Sequence, residues 1–96
     1  MGATTFECEA RGSTAQGAFD LAVKEAQHDY GHSGYTGTIA EKETFVQIPL
    51  PEGADPFVYA DSLVDSYDER IEDKWGPAGC FDLGDGLFYF FGWASE

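Results

Sequence analysis

His28 and His32 stand four residues apart, a spacing that lets two imidazoles on one helical face grip a metal ion. Gly31 lies between them and a glycine-rich stretch follows, so the helix that carries His28 is expected to end before His32. No third ligand stands at a recognisable spacing, and the pair reads better as positive charge near a helix C-terminus. The stretch "GHSGYTG" spaces Gly31, Gly34 and Gly37 as phosphate-cradling loops do, but it lacks the GK[ST] ending and no helix starts from Gly37. A structural loop with Tyr35 packed inward is expected instead. For nucleophilic catalysis the candidates are Cys8, or Ser33 beside His32, and neither stands in a nucleophile-elbow or Cys–His context. With 18 Asp and Glu in the chain, no single pair of carboxylates is informative. The sequence therefore predicts no enzyme, no metal and no cofactor.

The carboxylates matter as a surface. "ADSLVDSYDERIEDKW", residues 60–75, concentrates acids on a predicted helix. At about 100° per residue, with Asp61 set at zero, Asp65, Asp68 and Glu72 fall within about 40° of it and Glu69 near about 80°. Tyr59, Leu63, Val64, Tyr67, Ile71 and Trp75 gather on the other side, so the segment is amphipathic. Like charges at i, i+4, such as Asp61 and Asp65, each cost a few tenths of a kcal/mol, and only Arg70 and Lys74 offset them. Asp61, Asp65, Asp68, Glu69 and Glu72 are thus the candidate partner-binding residues. A merely solvated face is the competing reading. Glu41, Glu43, Glu52, Asp55, Asp82 and Asp85 extend the acidity to other exposed segments. One helical stripe offers a charge every 5–6 Å or so, against one per about 1.7 Å along B-DNA, so imitating a duplex needs two acidic elements side by side.

Charge also limits the partners. The 96-residue chain carries a formal net charge of −13, which repels nucleic-acid backbones and anionic membranes and draws in basic proteins in a salt-dependent way. Hydrophobic residues at 43% and aromatics at 16% are enough for one folded core, so a single domain spanning 1–96 is expected. "MGATTFECEARG" has neither the basic start nor the apolar run of a secretory signal, and no stretch is long enough to span a membrane. A cytoplasmic protein is expected. Cys8 and Cys80 read as small apolar residues, or as a disulfide if their strands are neighbours.

The positioning elements follow from periodicity. Phe6, Cys8 and Ala10 alternate with Glu7, Glu9 and Arg11, the pattern of a strand with one wet face. Ser13 and Gln16 have capping-box spacing, and Ala15, Ala18, Phe19, Ala22, Ala26 and Tyr30 then repeat at helical steps. This predicts a helix over about Ser13–Tyr30, with a mostly alanine face that can lie close to a sheet and with Asp20, Lys24 and Asp29 outward. "TFVQIPL" predicts a second strand. Asp55 before Pro56 caps a second helix, predicted to run to about Lys74, where "WGP" stops it. "GCFDLGDGLFYFFGWAS" predicts a hairpin turning near Asp85, with aromatics on both faces of its last strand. The order is β-α-β-α-β-β, a small α+β domain with both helices expected on one face of a mostly antiparallel sheet.

In size, acidity and element order the chain resembles the small acidic inhibitors carried by phages and mobile elements, including anti-CRISPR and anti-restriction proteins that imitate DNA. The resemblance lies in overall character, with "GYTGTIAEK" similar to stretches in small phage-encoded proteins. It implies a non-enzymatic inhibitor that occupies the positively charged groove of a nucleic-acid-binding protein, such as a CRISPR effector, in the host cytoplasm. It implies no direct contact with nucleic acid or membrane, and leaves monomer and homodimer open. The alternative is a protein-interaction or small-ligand domain that works through its aromatic C-terminal strand.

Overall fold

The computed structural model describes residues 3–30 and 38–95. The loop 31–37, with His32, Ser33 and Tyr35, lies outside them. Strand β1 spans Ala3–Arg11 and helix α1 spans Ala15–Tyr30. Thr14 rather than Ser13 opens α1: its Oγ1 accepts the Gly17 N–H at 3.0 Å. Gln16 does not complete a capping box and donates to Asp20 at 2.9 Å. A single 3-10 turn, Ile39–Glu41, leads into the short strand β2, Phe45–Gln47. Helix α2 is Pro56–Asp65, with the Asp55 carboxylate accepting the N–H groups of Phe57 and Val58 as its sequence predicts. Strands β3, Ala78–Gly84, and β4, Leu87–Ser95, close the chain's fold. They turn at Asp85-Gly86, whose φ values of 55° and 77° suit the right-handed twist of a two-residue hairpin.

The fold is α+β, in the order β-α-β-α-β-β, on a four-stranded sheet ordered β1-β4-β3-β2. β4 runs antiparallel to both β1 and β3, while β2 pairs with β3 in parallel. One expectation is corrected: the helices lie on opposite faces. Phe88 and Phe90 of β4 pack with Ala18, Phe19 and Ala22 of α1, whereas Tyr89 and Phe91 pack with Ala60, Leu63 and Val64 of α2. Topology supplies the reason. The β1-to-β2 connection crosses the whole sheet in one direction and the β2-to-β3 connection returns in the other. Right-handed crossovers in opposite directions place their helices on opposite faces. The aromatic pattern of β4 follows, because an inner strand between two helical layers has no wet side.

On the α1 side, Phe19, Phe45 and Phe90 form a ring cluster with centroids 5.1–5.9 Å apart, and the alanine face of α1 allows the close approach. Cys8 and Cys80 each pair with Phe90 from its two flanks, so two strand spacings, about 9.5 Å, separate them. That exceeds the reach of a disulfide, and both are free thiols.

Candidate acidic binding surface

Helix α2 is half as long as its sequence predicts, and this rearranges the predicted stripe. The N–H of Tyr67 bonds to Val64 O at 3.1 Å and that of Asp68 to Leu63 O at 3.0 Å, the paired closure of a left-handed helix cap. Tyr67 takes the left-handed position itself, with φ 54°. Glycine usually marks such a stop, so the sequence carried no warning of it. The apolar period persisted through Ile71, which is buried although it lies beyond the helix.

Of the five candidate acids, only Asp61 and Asp65 therefore sit on α2. Asp68 is held by Arg70, whose Nε and Nη2 each donate at 2.9 Å while its backbone N–H donates at 3.0 Å. The Arg70 side chain is the main reason that this carboxyl is drawn down to about 2. Glu69 and Glu72 are exposed on the segment after the helix. Asp61, Asp65, Glu69 and Glu72 form no ion pair with described residues. Tyr67 and Trp75, expected on the buried side, are 62% and 59% exposed, and Tyr67 lies flat on Trp93 at 5.6 Å between centroids.

A second acidic element shares the α2 face, and it is β1. Its register places Glu7 opposite Phe91 and Glu9 opposite Tyr89, so both acids share the α2 face of the sheet. The Tyr89 hydroxyl donates to Glu7 Oε2 at 2.9 Å. Burial pushes this phenol well above its ordinary range, and the Glu7 bond, then the charges of Glu7, Glu9 and Asp61, push it further. Glu7 thus holds the hydroxyl directly, while Glu9 and Asp61 act on it through their charge alone. Alternation in β1 was legible, but which helix its wet face would meet was not.

No reactive nucleophile stands among the described candidates. Burial, followed by the charges of Glu25 and Glu9, raises the Cys8 thiol to about 11, and burial with Asp82 raises Cys80 to about 12. Both remain protonated at neutral pH. His28 is exposed, and the described residues contain no group of three or more His, Cys, Asp or Glu able to hold a metal. No described helix is long and apolar enough to cross a membrane. Residues Phe88 to Phe91 are buried between α1 and α2, so β4 offers no exposed aromatic face along its middle.

One buried charge escaped sequence reasoning. Lys42 is 4% exposed, and its Nζ donates to the carbonyls of Lys74 and Gly76, each at 3.0 Å. Burial lowers it to about 8, against the opposing pull of Asp73 and Glu41. It fastens the segment after α2 to the 3-10 turn.

No family model, no curated protein and no solved structure matches this chain.

Proposed function

We propose that this protein is a non-enzymatic acidic inhibitor that binds the positively charged nucleic-acid groove of a larger protein, such as a host defence effector, through its α2 face. The observation that supports this reading is the placement of Glu7 and Glu9 of β1 on the sheet face that α2 covers, with Glu7 bonded to the Tyr89 hydroxyl and Asp61 of α2 acting on the same phenol through its charge. Two acidic elements share that face, which one sparse helical stripe does not provide. Glu7, Glu9 and Asp61 make no ion pair with described residues, so their field is free to act on a partner. Asp65, Glu69 and Glu72 add charge at the margin. Asp68 contributes least, because Arg70 already neutralises it.

The mechanism is occupation of the groove with charge complementarity, which raises the association rate and makes binding salt-sensitive. The test is capture of partners on the immobilised chain at low and raised salt, followed by a measurement of nucleic-acid binding by what is captured. A captured protein that loses its nucleic acid as this chain is added supports the reading. The Glu7→Gln, Glu9→Gln, Asp61→Asn variant should lose that competition while melting as the wild type does. Competition that survives both raised salt and the triple substitution overturns it.

A further inference from the structure

The open edge of the sheet beside α1 has the form of a strand-addition site. The Gly12 N–H donates to Gly86 O at 2.9 Å, which makes these two a hydrogen-bonded pair at the end of the β1–β4 ladder. Antiparallel ladders alternate, so Ala10–Phe88, Cys8–Phe90 and Phe6–Gly92 are pairs of the same kind. The backbone N–H and C=O groups of Thr5, Glu7 and Glu9 therefore point away from β4, toward the edge. Among the described residues none of these backbone groups has a hydrogen-bond partner.

A groove of about 430 Å³ runs along this edge between β1 and α1. Phe6, Ala22, Ala26 and Ile39 give it an apolar floor, and Glu25 and Asp29 stand at its rim. An added strand sends alternate side chains to opposite faces. One set would enter the groove and the other would lie beside Glu7 and Glu9 on the α2 face. The chemistry of the two faces then specifies the guest: apolar residues alternating with lysine or arginine.

Acidic residues on an edge also blunt self-association. A second copy paired through β1 would set Glu7 and Glu9 against their own counterparts, and like charges directly opposite are unfavourable. The edge thus repels its own kind and suits a basic strand.

We propose that the β1 edge takes up an extended basic segment of a partner protein as an added strand, its apolar side chains in the groove between β1 and α1. This stands whether or not the partner binds nucleic acid. The probe is a short peptide alternating lysine and valine, titrated into the isotope-labelled full chain. Amide exchange at Thr5, Glu7 and Glu9 should slow by at least about tenfold on binding. N-methylation of one alternate set of peptide residues should weaken binding by about tenfold or more, because that set donates to β1, whereas methylation of the other set should not.

Equal affinity for the two methylated peptides overturns the proposal, since charge alone would then explain binding. Unchanged exchange at the three amides overturns it, as does equal binding of a peptide alternating glutamate and valine. Concentration-dependent protection of those amides in the free protein would assign the edge to a second copy and overturn it too.

Discussion

The Tyr89 hydroxyl on the inner strand β4 reaches diagonally to Glu7 on β1, at 2.9 Å, although the residue directly opposite Tyr89 is Glu9. The bond holds one carboxylate over the α2 face and, after burial, is the next cause that pushes the phenol above its ordinary range. Tyr89→Phe retains the packed ring and removes only the donor. It should cost about 0.5–1.5 kcal/mol in urea unfolding, with the native fold retained. A variant as stable as the wild type would show that the bond contributes nothing.

Gly79 has no side chain because Phe91 occupies its place. A Cβ there would lie 2.4 Å from the ring, and Gly79 and Phe91 are directly paired across β3 and β4. The ring is buried and cannot swing clear. Gly79→Ala should therefore destabilise by about 1–3 kcal/mol through overpacking, read from the denaturant midpoint. A neutral result would mean that the α2-side core is looser than its burial suggests.

Tyr67 serves two purposes that substitution can separate. Its left-handed backbone ends α2, and its ring stacks on Trp93. Tyr67→Ala and Tyr67→Gly both lose the stack, but only glycine removes the backbone strain. The glycine variant should be the more stable of the two by about 1 kcal/mol. Alanine equal to glycine in a thermal melt would contradict a left-handed residue at this position.

Lys42 makes stability depend on alkaline pH. Its folded value of about 8 lies below its ordinary 10.5, so between these values the unfolded chain binds more protons than the folded one. Stability linked to this group therefore rises as pH climbs through that window, and the burial penalty is fully present below it. Lys42→Met should remove the alkaline rise, as measured by unfolding midpoints across the window. Above about 9 the raised thiols of Cys8 and Cys80 lower wild type and variant alike, so the test is the difference between the two, and a difference that does not change across the window would place the amine in water.

Local chemistry was legible in the sequence, whereas geometry between distant segments was not. Asp55 before Pro56 and the Asp85-Gly86 turn announce themselves because capping and left-handed turns depend on adjacent residues. The alanine face of α1 was readable for the same reason. The end of α2 was hidden, because a tyrosine fills the place of the usual glycine and Ile71 continues the apolar period beyond the stop. The acidic surface was found only in part. Asp61 and Asp65 were placed on the helix, but Glu7 and Glu9 joined them through a register of β1 with β4, and no spacing along the chain encodes that. The same holds for Lys42, whose carbonyl partners lie 32 and 34 residues away.

The register that pairs Ala3 with Ser95 also bears on how the protein is made. β4 is the last element of the described chain, yet β1 and β3 both pair with it and both helical layers pack on it. While residues 87–95 are still inside the ribosome, β1 has no neighbour and neither core can close. Folding must wait until residues 87–95 have emerged and then proceed through contacts between segments far apart in sequence, which is a slow route. During that interval the acidic residues of β1 and α2 keep the emerging chains apart, so the same charge guards against aggregation before either core has closed.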